Sequence, residues 1–264
     1  MKNLLKHSKK IFTLIRKAPH IYLFLDYDGT LTPIVSMPEL ANLSQEARAL
    51  LSKLVKNSKL SIVIVSGRSI KQLKQKIGIK GLVLAGNHGL QAIGASGFKY
   101  IHPKAKRFKS LMKNVKVKLN EACKGIKGVL VEDKGLTLSV HFRLVEAADI
   151  KRLKGYIYKA LAVCLKHKSI KLTQGKKVLE VRPPVKWGKG EFVNYLLKKE
   201  KIKKALAIYI GDDKTDESAF KKLRKKGITI FIGNKNSASN AEFCLKNTKE
   251  VLKFLKKLGQ IPNF

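Results

Sequence analysis

Five apolar residues, Ile21 to Leu25, run without a break into Asp26, Tyr27, Asp28 and Gly29. A continuous run of this length fits a strand buried on both faces, as in a parallel sheet. The pattern returns at Leu60–Val65, Leu82–Ala85, Ala205–Ile210 and Ile228–Ile232. Between the first two strands, Ser44 precedes a helix with Ala47, Leu50, Leu51, Leu54 and Val55 on one face. Strand–helix–strand alternation predicts a doubly wound, Rossmann-like α/β core whose parallel sheet is joined by right-handed crossovers.

The middle of the chain breaks this rhythm. A helical stretch (Phe108, Leu111, Val115, Leu119) leads to an apolar strand, Gly128–Asp133, and a turn at Lys134–Gly135. Leu136–Phe142 then alternates apolar and polar, as a half-exposed antiparallel strand does. A long helix over 147–166 and strands at 169–173 and 177–182 complete the segment, with Gln174-Gly175-Lys176 as a hairpin signal. Pro103 and Pro183–Pro184 mark its edges. The expectation is a core of residues 1–103 and 183–264, interrupted by an inserted α+β cap domain over 104–182.

Composition changes this picture little. At 264 residues and 44% hydrophobic, the chain can bury a sizeable core. Cys123, Cys164 and Cys244 are far apart and odd in number, which argues against a disulfide framework or a zinc site. No apolar run reaches membrane-spanning length, and the basic N-terminal segment lacks a signal-peptide core, so a cytoplasmic location is expected. The formal charge of +38 invites a nucleic-acid reading. Yet only eight of the 56 basic residues are arginine, and the lysines are spread over nearly every helical segment. Nucleic-acid readers concentrate such charge on one element. The spread favours a lysine-rich surface whose field could steer an anionic substrate inward, on a protein expected to be a monomer.

Chemistry gathers at the strand ends. Open α/β sheets bind ligands at the C-terminal edge of their strands. There the first strand delivers Asp26 and Asp28, the second Ser66, and the fourth Asp212, Asp213 and Asp216, while Lys189 opens a later helix. Paired acids at such an edge can hold a divalent cation and attack a phosphoryl group.

In order and chemistry the set resembles the signature motifs of the haloacid-dehalogenase-like phosphatase superfamily. That resemblance implies Asp26 as nucleophile, Asp28 as general acid and base, and Ser66 and Lys189 as phosphoryl ligands. It also implies Mg²⁺ held by Asp26, the Asp28 carbonyl and Asp212, with Asp216 in the metal group and Asp213 able to assist. Longer phrases are similar to the trehalose-6-phosphate phosphatase family: Leu25–Pro33, Val65–Arg68, Ala85–Gly89, Val131–Lys134, Ser139–Arg143, Leu172–Lys176, Val178–Pro183, Lys186–Gly190 and Gly211–Phe220. The likeness spans about residues 20–235. It implies that Glu132, Lys134, Arg143, Lys176 and Glu180 bind the sugar and help hold the phosphate.

His88 could contact substrate or orient its loop, and Arg68 could bind phosphate or buttress the Ser66 loop. Gly188, Lys214 and Gln91 stand where the family often has Asp, Arg and an acid. The implied reaction is Mg²⁺-dependent hydrolysis of trehalose 6-phosphate, a small-molecule sugar phosphate. The alternatives are a phosphatase for sucrose phosphate, mannosylglycerate phosphate or a hexose phosphate, or a basic nucleic-acid-binding α/β protein.

Overall fold

The computed structural model describes residues 1–175, 177–200 and 204–261. Along the chain run β1 (Lys2–Asn3), α1 (Ser8–Lys17), β2 (Ile21–Leu25), α2 (Gln45–Leu54), β3 (Leu60–Val65), α3 (Ile70–Ile77), β4 (Val83–Gly86), β5 (Gln91–Ile93) and β6 (Lys99–Ile101). Next come α4 (Pro103–Lys106), α5 (Lys109–Ala122), β7 (Leu130–Asp133), β8 (Leu138–His141), α6 (Ala147–Lys166), β9 (Lys171–Gly175) and β10 (Val178–Arg182). The chain closes with α7 (Lys189–Glu200), β11 (Leu206–Gly211), α8 (Glu217–Leu223), β12 (Gly227–Ile232), β13 (Phe243–Leu245) and α9 (Thr248–Leu258). Two compact units emerge: Met1–Tyr100 with Trp187–Phe264, and Ile101–Lys186. The second is a few residues wider at each end than the span expected from the flanking prolines.

The first unit is built on a sheet in the order β1-β13-β12-β11-β2-β3-β4-β5-β6. From β1 through β4 every neighbouring pair is parallel, and β5 turns back antiparallel on β4. This is the doubly wound α/β core the alternation predicted. All five residues of β2 are buried, and its side chains divide between two cores. Ile21, Leu23 and Leu25 join one cluster, and Tyr22 and Phe24 the other. That division is the period-two geometry of a strand covered on both faces.

Helix ends follow local chemistry. Ser44 Oγ caps α2 by accepting from the Ala47 N–H, and Ser69 with Gln72 forms a reciprocal capping box at α3.

From the central strand the chain steps outward to β3 and β4, and later returns to β11 and steps the other way. The reversal lies between β2 and β11. The C-terminal ends of the strands at such a reversal are where open α/β sheets bind ligands.

The second unit has a four-stranded antiparallel sheet in the order β7-β8-β10-β9. One face supplies Leu138, Val140, Leu179 and Val181 to a core shared with Met112, Val115 and Leu119 of α5 and Leu153, Ile157 and Leu161 of α6. The long helix has the predicted bounds. The strand after it starts at Lys171 rather than Ser169, because helix closure consumes the intervening residues. The Ser169 N–H reaches back to the Cys164 carbonyl, and Lys168 takes a left-handed φ of 50°.

Candidate active site

Asp26 follows the last residue of β2 and lies 5% exposed. Its Oδ1 accepts the Tyr27 N–H at 2.7 Å and an ammonium proton from Lys189 at 2.9 Å. Lys189 is the first residue of α7 and is 2% exposed, with Gly190 packed directly on the Ser218 backbone. A Cβ on Gly190 would come within 2.3 Å of the Ser218 carbonyl oxygen, so glycine lets the helix start seat its lysine at this depth.

The same ammonium donates to Asp216 Oδ1 at 2.8 Å. Asp216 is fully buried and accepts more: the Tyr209 hydroxyl on Oδ1 at 2.7 Å, and the backbone N–H groups of Asp212 and Asp213 on Oδ2 at 3.1 and 2.9 Å. Four hydrogen bonds occupy the carboxylate. Its geometry is that of a group that folds the Asp212–Asp213 turn and aims Lys189. Sequence reasoning overlooked Tyr209, which reads in the sequence as a core aromatic of β11.

Asp26, Asp212 and Asp216 each offer a carboxylate oxygen, and these atoms lie within 4.8 Å of one another. Burial pushes the Asp26 carboxyl well above the usual carboxylate range; Lys189 opposes that rise, and Asp216 and Asp212 add to it. Burial alone would pull Lys189 down, but Asp216 and Asp26 outweigh it and lift the ammonium above its ordinary value. Three acids facing one lysine leave an excess of negative charge. Carboxylate oxygens are the donors that hard divalent cations prefer. Gly29, at a φ of 80°, keeps the place open, since a Cβ there would lie 2.2 Å from Asp212 Oδ2. The donor set and this cradle fit a hard divalent cation.

Asp28 and Arg68 form a second group. The Arg68 guanidinium grips the Asp28 carboxylate with two bonds, from Nε at 2.7 Å and Nη2 at 2.5 Å. Nη2 also donates to the Pro38 carbonyl at 2.9 Å, and the guanidinium carbon sits 5.2 Å from the Tyr27 ring centre. In this structure Arg68 is therefore engaged with the Asp28 carboxylate. Bidentate pairing of this kind fixes direction as well as charge.

Ser66, at the end of β3, is 1% exposed, and its Oγ accepts the Arg68 N–H at 3.2 Å. The neighbouring loop is strained. Asn87, His88 and Gly89 take successive φ values of 50°, 56° and 85°, which for the two non-glycines costs about 1–3 kcal/mol each. Bonds to its neighbours hold it, among them Asn87 N–H to the Arg68 carbonyl at 2.8 Å, His88 N–H to the Ser66 carbonyl at 2.9 Å, and Trp187 Nε1–H to the Gly89 carbonyl at 2.8 Å. His88 is 9% exposed and packs on Gly67, where a Cβ would come within 2.9 Å of its ring. The His88 loop and the Ser66 loop are thus knitted together.

In the second unit, Glu132, Lys134 and Glu180 gather on the sheet face opposite the core. Lys134 Nζ lies 3.7 Å from Glu132 and 3.8 Å from Glu180. Arg143 is exposed in the turn after β8. Lys176 lies outside the described residues. Sequence reasoning missed His141 and Arg182, which touch Glu132 and Glu180 respectively. Among the described residues no helix is long and apolar enough to cross a membrane.

Comparison with known proteins points the same way as this geometry. A family model described as trehalose-phosphatase matches residues 24–251. Trehalose-phosphate phosphatase B of Arabidopsis thaliana is 37% identical over 255 residues, covering 92% of this chain and 67% of that protein. Probable trehalose-phosphate phosphatase 4 of Oryza sativa subsp. japonica is 37% identical over 245 residues, covering 90% and 65%. The chain thus spans about two thirds of these relatives' length.

Among solved structures, the C-terminal domain of C. albicans trehalose-6-phosphate phosphatase superposes with a TM-score of 0.81 over 96% of both chains, at 24% identity, which supports the fold. A trehalose-6-phosphate phosphatase related protein superposes at 0.78 with 25% identity, over 90% of this chain and 96% of that one. With the strand-end acids, the buried lysine and the inserted antiparallel unit all lying within the matched span, the chain belongs to the trehalose-phosphatase family.

Proposed function

We propose that this protein is a Mg²⁺-dependent phosphatase that hydrolyses trehalose 6-phosphate to trehalose and inorganic phosphate. The observation that carries this reading is the meeting of Asp26, Lys189 and Asp212 at the reversal point of the sheet. Asp26 attacks phosphorus and forms an aspartyl-phosphate, while the bond to the sugar oxygen breaks and that oxygen takes a proton from Asp28. Water then attacks the aspartyl-phosphate, gives its proton to Asp28, and releases phosphate with Asp26 restored. Lys189 neutralises the phosphoryl oxygens and Ser66 donates a hydrogen bond to them. Asp26, Asp212 and the Asp28 carbonyl would hold Mg²⁺, which supplies positive charge to offset repulsion between carboxylate and phosphate. Asp216 serves that group by fixing the Asp212 turn, and Asp213 lies beside it.

Within the same proposal, Glu132, Lys134, Arg143, Lys176 and Glu180 recognise the sugar and its phosphate. Their mix of acids and bases suits hydroxyls, which both donate and accept. The His88 loop supports Ser66, and a substrate contact from His88 belongs to the proposal too. Monomeric state and a cytoplasmic location complete it.

A panel of sugar phosphates, assayed for phosphate release with Mg²⁺ and after chelation, tests the reading. Trehalose 6-phosphate should give the highest kcat/KM, and chelation should reduce release to background. Higher kcat/KM with sucrose phosphate, mannosylglycerate phosphate or a hexose phosphate would overturn the substrate. Tight, salt-sensitive nucleic-acid binding with no turnover of any ester would overturn the enzyme.

Arg68 permits a finer test. If it aims Asp28 at the leaving oxygen, Arg68→Gln should lower kcat on a sugar phosphate by about 10²-fold. With p-nitrophenyl phosphate, whose leaving group departs without a proton, the loss should be about tenfold smaller, since only the attack of water still uses Asp28. Equal losses on both esters would make Arg68 a phosphate ligand or a structural support instead.

A further inference from the structure

The sheet face of the second unit carries a larger charged cluster than the sugar set read from the sequence. Glu132 pairs with Ser139, and Ser139 pairs with Glu180, so the two carboxylates flank β8 in one row across three strands. Lys134 lies between them, at 3.7 and 3.8 Å. Those separations exceed hydrogen-bond length, so Lys134 supplies charge without fixing either carboxylate's direction. His141 does otherwise. Its Nε2 stands 2.8 Å from Glu132 Oε2, a diagonal contact between β8 and β7. Beside a carboxylate, which only accepts, that nitrogen is the donor. Arg182 Nε approaches Glu180 Oε2 at 3.8 Å. All five side chains are 22% exposed or less.

We propose that His141 is a positioning residue for sugar recognition: its imidazole fixes the Glu132 carboxylate in the orientation that meets a hydroxyl of the leaving group. The inference rests on the proposed sugar-phosphatase function. A glutamate that a ligand must immobilise loses rotamer freedom on binding, whereas one already held has lost it beforehand. His141 thus contributes to affinity for the sugar and leaves the steps at phosphorus unchanged.

The test compares wild type, His141→Ala and His141→Gln on three readouts: steady-state kinetics with the sugar phosphate that the wild type turns over best, calorimetric binding of the matching free sugar, and hydrolysis of p-nitrophenyl phosphate. His141→Ala should raise KM and weaken sugar binding by up to about tenfold, the cost of ordering one side chain on binding. Its kcat and its p-nitrophenyl phosphate rate should stay within twofold of wild type. Glutamine, whose amide N–H can still donate, should recover most of the affinity. An unchanged KM in His141→Ala, equal losses on the sugarless ester, or no recovery with glutamine would overturn the role. Because the substrate is chosen by the wild type's own preference, a failure of the trehalose reading shows in the wild-type panel alone and leaves this comparison intact.

Discussion

Replacing Asp26 with asparagine should abolish turnover, by at least about 10⁴-fold, and also raise the melting temperature of the metal-free protein. The first effect follows from removing the attacking oxygen, a loss that other groups in the site cannot make good. The second follows from the cost of the wild-type arrangement. Burial and the nearby acids raise the folded-state Asp26 carboxyl well above its ordinary value of 3.8 despite Lys189.

Above about pH 4 the folded protein therefore gives up the Asp26 proton less readily than the unfolded chain does. Its stability falls as pH rises from about 4, through the folded-state value of that carboxyl. Asparagine is neutral at every pH and removes that slope. Thermal melts of the two proteins without metal, from pH 4 to pH 8, check this: the curves should separate as pH rises, with the variant higher. A variant that melts lower throughout would show that Asp26 is held comfortably as an anion even without a cation. Added Mg²⁺ should stabilise the wild type more than the variant, since a ligand that binds only the folded form raises its melting temperature.

Lys189→Met should have the opposite effect on stability. The two side chains are similar in length, so little packing is lost, but Asp26 and Asp216 are left facing each other without their shared ammonium. Losing the ammonium from its buried pair with Asp216 costs about 3–5 kcal/mol. In a chain of this size that corresponds to a drop of roughly 10 °C in melting temperature. Activity should fall about 10³-fold, because the phosphoryl oxygens lose a preorganised positive charge. Mg²⁺ should restore part of the lost stability by standing in for the missing charge beside Asp26. A variant that melts within 2 °C of wild type would mean that Lys189 contributes little to the folded cluster.

The central strands were legible in the sequence because burial on both faces writes an unbroken apolar run, as in Ile21–Leu25. Long amphipathic helices were legible for the same reason, and α6 has the bounds its periodicity predicts. The short strands toward the two ends of the sheet were not. β1, β5, β6 and β13 are two or three residues long, too short to show a period. Helix α9 did leave a signal that the reading passed over: Asn247 as its cap, with Val251, Phe254, Leu255 and Leu258 buried at helical spacing.

The acids at the strand ends were readable because parallel topology alone brings them to one edge. Which acid touches which base was not. Asp28 and Arg68 each lie three residues past the end of neighbouring strands. That spacing is a usable signal, but only once the strand order is known. The Glu132–His141 contact depends on antiparallel register, which a shift of one residue would move to the opposite face. Tyr209 looks like core until its hydroxyl is seen to end on Asp216.

The account stands or falls on Asp26 as the atom donor to phosphorus. Rapid acid quenching of the enzyme during turnover of trehalose 6-phosphate, followed by borohydride reduction and peptide mass spectrometry, reads this directly. An acyl-phosphate is reduced to an alcohol, so the peptide containing Asp26 should carry homoserine at that position, only when substrate and Mg²⁺ are both present. Homoserine at another aspartate, or an unmodified Asp26 under conditions where phosphate is being released, would contradict it.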